Sequence, residues 1–150
     1  MPEKETMKRA MKDKREGKSA STQAGEFVRE EIHHVREGKH GVKNTKQAIA
    51  IGLSKARRAG VKLGAPPPGS KSSTKRSAES AARAGAQNRK PSPRRSRATL
   101  DALRHEGQEA ASKEALARQA HEAATHRSPA SRSASARRAG QTRKHQHASV

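Results

Sequence analysis

The stretch Asn44-Thr45-Lys46-Gln47-Ala48-Ile49-Ala50-Ile51-Gly52-Leu53-Ser54-Lys55-Ala56-Arg57-Arg58-Ala59-Gly60 decides the fold class. Asn44 and Gln47 form an Asn-x-x-Gln variant of a capping box, which satisfies the unpaired N–H groups at a helix start. Arg57 and Arg58 place cations where carbonyls collect at a helix end, and Gly60 stops the helix. At 100° per residue, Ile49, Gly52, Leu53 and Ala56 fall on one side, with Gln47, Ser54, Lys55 and Arg58 roughly opposite. Ile51 lies among the polar group. Two readings follow: a helix packed on two sides, or an apolar contact with a ligand or partner.

Two more helices precede this one. The first is expected over about Pro2 to Glu16, with proline at its start, Glu3 and Glu5 in its first turn, Lys14 and Arg15 in its last, and Gly17 as its stop. The second begins near Ser21 or Thr22, carries Ala24, Phe27, Val28, Ile32 and Val35 at spacings of three and four, and ends at Gly38. Arg15-Glu16-Gly17-Lys18 recurs 21 residues later as Arg36-Glu37-Gly38-Lys39. A duplication explains this, and so does the general use of glycine at helix ends.

Of the 17 large apolar side chains (Met, Phe, Val, Ile, Leu), 13 lie in residues 1–64. Gly64-Ala65-Pro66-Pro67-Pro68-Gly69-Ser70 then forbids helix continuation, so 65–71 reads as a linker. The expected fold is all-α: a small helical domain over 1–64, the linker, and a largely disordered, basic Ala/Arg/Ser-rich tail over 72–150. Transient helices are expected in the tail near 74–84, 93–106 and 113–125. The whole chain is 29% apolar, against about 45–50% for a globular domain, which excludes one large core. No stretch approaches the roughly 18 to 20 apolar residues of a membrane span. The first residues, Met1 to Glu5, carry acids and no apolar signal segment, so a cytoplasmic, nucleoid-associated location without membrane contact is expected.

The chain carries 34 Lys plus Arg against 14 Asp plus Glu, a formal net charge of +20. Such self-repulsion points to a polyanionic partner. Lys4, Lys8, Lys12 and Arg15 share one arc of the first helix, beside a weak apolar edge of Met7, Ala10 and Met11; a solvated charged face explains the stripe, and so does an anion along it, which would relieve its like-charge i, i+4 repulsion. The second helix is acidic through Glu26, Glu30, Glu31 and Glu37. Glu31 falls near the apolar arc and should pair with a Lys or Arg of a neighbouring helix. Lysine dominates the first part and arginine the tail; arginine suits bidentate phosphate contacts and a narrow minor groove. Ser92-Pro93-Arg94-Arg95 resembles the Ser-Pro-basic-basic element of linker-histone tails. Ser135-Ala136-Arg137-Arg138-Ala139-Gly140 echoes Ser54-Lys55-Ala56-Arg57-Arg58-Ala59-Gly60.

Catalysis has no candidate constellation: there is no phosphate loop, nucleophile elbow or second carboxylate at a persuasive spacing. With no cysteine, thiolate sites are excluded. His33 and His34 are adjacent and diverge on a helix, and His145-Gln146-His147 stands without further ligands, so neither metal nor cofactor is expected.

Together with Gly25-Glu26-Phe27-Val28-Arg29-Glu30-Glu31-Ile32-His33-His34, the stretch Thr45 to Gly60 resembles a family of small, basic, uncharacterised bacterial proteins, a domain of unknown function, over residues 1–68. The resemblance implies a bacterial source and supplies no catalytic residues.

The expectation is a non-enzymatic, nucleoid-associated or histone-like protein that binds duplex DNA through phosphates with little sequence specificity. Its contacts are expected at Lys4, Lys8, Lys12, Arg15, Lys55, Arg57, Arg58, Lys62, Arg94, Arg95, Arg97, Arg137 and Arg138. A single phenylalanine cannot supply the stacking platforms of single-strand binders, and few Asn or Gln are placed to read base edges. The alternatives are an RNA- or ribosome-associated basic protein and a protein-interaction module docking on an acidic protein.

Overall fold

The computed structural model describes residues 2–148. Among the described residues seven α-helices follow one another: α1 (Lys4–Arg15), α2 (Ala20–Arg36), α3 (Thr45–Arg58), α4 (Ser72–Ala86), α5 (Pro93–Arg104), α6 (Lys113–Thr125) and α7 (Pro129–Ala148), with one 3-10 turn, Glu109–Ala111, before α6. Among the described residues there is no strand, and no helix is long and apolar enough to cross a membrane. The chain forms two compact units, one ending at Ser112 and one beginning at Lys113.

The helix ends follow local chemistry. Gly17, Gly38 and Gly60 take φ of +71°, +75° and +92°, and each closes a helix by the same pair of backbone bonds. After α1 these are Gly17 N–H to Lys14 O (3.1 Å) and Lys18 N–H to Asp13 O (2.9 Å), the 5→2 and 6→1 pattern of a Schellman end. The repeated Arg-Glu-Gly-Lys is thus one C-terminal motif used twice. Asn44 accepts from Gln47 N–H at 2.8 Å, while Gln47 Oε1 accepts from Lys43 N–H at 2.7 Å, one residue earlier than in an ordinary capping box. Helix α2 starts slightly before the expected Ser21 or Thr22, because Ser19 is its N-cap.

Phe27 is fully buried, packed with Ala10, Ala24 and Ala56 and flanked by Met7, Leu53, Val61 and Leu63. Of the side that the wheel favours, Gly52 and Ala56 are buried and Ile49 and Leu53 half-buried, and Thr45 and Ala48 complete the buried row. Small side chains let α2 approach closely: a Cβ on Gly52 would lie 2.6 Å from Val28 Cα. Helix α4 also packs against α3, so α3 has two helical neighbours.

The expected disordered tail is overturned. Residues 72–148 hold four α-helices and the 3-10 turn, and α4, α5 and that turn belong to the first compact unit. The reason lies in small side chains rather than large apolar ones. Gly85 of α4 rests on the Arg57 carbonyl, so closely that a Cβ there would overlap it, and Ala81 and Ala111 are buried. Packing through small residues needs little apolar bulk, and alanine with arginine favours helix. The end of α5 is sewn to the α2–α3 loop by Gly41 N–H to Leu103 O (2.9 Å) and Val42 N–H to Gly107 O (3.0 Å). Ser92-Pro93 opens α5 with proline in the first turn, so the linker-histone-like element lies at a helix start. In the second unit, Ala115 is the buried residue of α6, and α7 buries none of its described residues. The last two residues of the expected tail, 149 and 150, lie outside the described residues.

Candidate nucleic-acid interface

Helices α3, α4 and α5 and the end of α2 surround a groove of about 1260 Å³ within the first unit. Helix α3 contributes Lys55 and Arg58, α4 contributes Arg83, and α5 contributes Arg95 and Arg104. The turn after α4 adds Arg89 and Lys90, and the turn after α2 adds Lys39; Glu31 is the acid among the lining residues. That turn after α4 is fixed by Asn88, the non-glycine residue with positive φ (+49°) among those described, through Asn88 N–H to Gly85 O and Arg89 N–H to Ala84 O. Asn88 thus does for α4 what glycine does for α1 to α3, and it aims Arg89 and Lys90 at the groove.

The cations are not equivalent. Lys55 Nζ lies 2.7 Å from Glu31 Oε2 and 3.4 Å from Glu30 Oε1, so one ammonium is shared by two buried carboxylates. Lys39 pairs with Glu37 and Glu3, and Arg104 with Asp101. Arg58, Arg83, Arg89, Lys90 and Arg95 have no ion pair among the described residues, and all but the half-buried Arg58 are exposed. Five uncompensated cations around one concavity focus a positive potential there.

Below the groove wall is a buried ion network. Burial pushes the Glu30 carboxyl up, but the Thr6 hydroxyl, the Glu3 N–H and Lys55 outweigh it and hold the group below its ordinary value. Glu3, which is exposed, is lowered by hydrogen bonding from His34 and then by Lys39. Glu31 meets the expected cation of a neighbouring helix in Lys55 and also lies 2.8 Å from His40 Nε2.

Of the expected contact residues, the groove gathers Lys55, Arg58 and Arg95. Lys4, Lys8, Lys12 and Arg15 are exposed on α1 and do not line it; Lys8 pairs with Glu5 and Lys12 with Glu16. Arg57 Nη2 donates to the Gly64 carbonyl at 3.1 Å and faces a smaller cleft with Pro66 and Pro68. Lys62, Arg94 and Arg97 are exposed outside the groove, and Arg137 and Arg138 are exposed on α7 in the second unit. Lys39, Arg83, Arg89, Lys90 and Arg104 were not among the expected contacts. The one local signal for them is Gln87-Asn88-Arg89-Lys90-Pro91, where Asn reads as a helix stop.

No protein-family model, curated protein or solved structure matches this chain.

Proposed function

We propose that this is a non-enzymatic protein that binds duplex DNA through its phosphates, with the α2–α5 groove as the principal contact and the α1 lysine face and the exposed arginines of α5 and α7 as auxiliary ones. The carrying observation is the set of five cations without ion pairs at the groove, Arg58, Arg83, Arg89, Lys90 and Arg95. Phosphate oxygens match arginine forks bidentately, and they relieve the mutual repulsion of these side chains. Phe27, the one aromatic Phe/Tyr/Trp residue, has no exposed surface on which a base can stack. That favours duplex over single strands. Association with the nucleoid is part of the same proposal.

The test is a salt titration of duplex binding. If about eight phosphates are neutralised, log affinity falls against log salt with a slope of about −7. Replacing Arg58, Arg83 and Arg95 together by glutamine should lower the slope by about 3. Binding that ignores salt, or a triple variant that binds like the parent, overturns the reading; stronger binding of structured RNA in direct competition would transfer the groove to RNA.

A further inference from the structure

Glu31 and His34 stand one turn apart on α2, and the chain reversal at Gly38 brings His40 back over them. One ligand atom from each of the three lies within 4.8 Å of the others. Glu31 is 1% exposed and His40 8%. We propose that Glu31, His34 and His40 form a site for a divalent transition metal ion, Zn²⁺ in the first instance, at the wall of the cationic groove; the proposal does not rest on the DNA reading.

Three observations carry it. The first is a donor count. His40 Nδ1 lies 3.0 Å from the Gly41 carbonyl oxygen, which can only accept, so Nδ1 bears the hydrogen. His40 Nε2 then points a lone pair at Glu31 Oε1, 2.8 Å away. Two acceptors at that distance need a cation between or beside them, a proton or a metal.

The second is a charge count. The side chains of Glu30 and Glu31 keep 2% and 1% of their exposure and share one ammonium, that of Lys55. One buried negative charge is left over, which burial strongly disfavours. Lys55 approaches Glu31 Oε2 at 2.7 Å but off the hydrogen-bonding direction, so this buried oxygen is ion-paired and not hydrogen-bonded.

The third is His34. A proton shared by Glu31 and His40 makes no use of a second imidazole, whereas a metal ion does. His34 is held by Glu3 Oε1 at 3.0 Å from its Nε2, and His40 by the Gly41 carbonyl. Both rings therefore have the outer oxygen partner that fixes the orientation of a ligating histidine. Two imidazoles and a carboxylate select zinc-like ions over magnesium or calcium. All three residues line the groove.

The experiment uses the full chain after chelator treatment. Zn²⁺ is titrated by calorimetry, and Co²⁺ by its visible absorption, whose intensity reports low coordination by nitrogen and oxygen. The expected result is one ion per chain and at least ~10-fold weaker binding in both His34→Ala and His40→Gln, since even outer-partner changes cost that much. A His145→Gln/His147→Gln variant should bind as the parent does. His34 is half-buried, so His34→Ala keeps the test decisive if His40→Gln fails to fold. Absence of stoichiometric Zn²⁺ binding by the parent, unchanged binding in His34→Ala, or loss of binding in the His145/His147 variant overturns the site.

Discussion

The end of α3 and the middle of α7 carry the same four residues, Arg57-Arg58-Ala59-Gly60 and Arg137-Arg138-Ala139-Gly140, and treat them oppositely. In α3 the glycine takes φ +92° and ends the helix; in α7 the glycine is interior to a helix running to Ala148. The local sequence is shared, so the neighbours decide. Val61 follows Gly60 and packs on the core, giving the apolar contact that accompanies a Schellman end, whereas Gln141 follows Gly140 and is exposed. Two residues upstream of the first arginine stands Lys55 in one copy and Ser135 in the other. Lys55 joins α3 to two buried acids of α2, while Ser135 accepts a hydrogen bond from Arg127 Nη2 near the start of its own helix. Tertiary anchoring, not composition, separates the two regions.

Erasing that anchoring should have the largest effect. Lys55→Ser makes α3 copy α7 at this position and leaves Glu30 and Glu31 facing each other's charge without the ammonium. Removing one partner of a buried pair costs about 3–5 kcal/mol; the lower end is expected here, about 3 kcal/mol, because 23% of the Lys55 side chain stays exposed. Urea unfolding followed by far-UV circular dichroism measures it. A loss under about 1 kcal/mol would mean that the ion network is not what distinguishes α3.

The glycines themselves give a smaller effect of opposite sign in the two copies. Gly60→Ala forces a Cβ into left-handed backbone and should cost about 1–2 kcal/mol. Gly140→Ala meets nothing within 4 Å and removes a flexible residue from a helix interior, so it should stabilise α7 by about 1 kcal/mol. Paired thermal melts check both. A shift in the same direction at the two sites would show that Gly140 also serves as a stop in solution.

This contrast explains what could be read from the sequence. The ends of α1, α2 and α3 were legible because caps and glycine stops act within four or five residues. The pairing of Glu31 was legible too, since a carboxylate on an apolar arc must find a cation. The rest depends on contacts between distant segments. Gly52 and Gly85 look like flaws in helical patterns and prove to be the points where α2 and α4 approach α3. Arg83, Arg89 and Lys90 look like scattered tail charges until α4 docks and Asn88 turns the chain. His33 and His34 diverge on α2, and the ring beside His34 in space is that of His40, which no local spacing shows because it lies beyond the Gly38 reversal. The order of the tail is hidden from the sequence because alanine and glycine, not large side chains, make its contacts with α3.

The smallest expected effect lies in the acid limb of stability, and it again belongs to α2 and α3 rather than α7, whose described residues include no acid. Glu30 is held below its ordinary value of 4.5, burial opposing and the Thr6 hydroxyl, Glu3 N–H and Lys55 prevailing. A carboxylate with a depressed folded pKa binds its proton more weakly folded than unfolded. Its contribution is therefore complete above the unfolded value and is lost as pH falls through the folded one. The melting temperature should decline as pH drops below about 4.5, and Glu30→Gln, with no charge left to titrate, should flatten part of that decline while melting lower at neutral pH. Glu3 and Glu16 are shifted the same way but exposed, so added salt should erase their share and leave that of Glu30. An acid limb as steep in Glu30→Gln as in the parent, at high salt, would move the acid sensitivity out of the α2–α3 network.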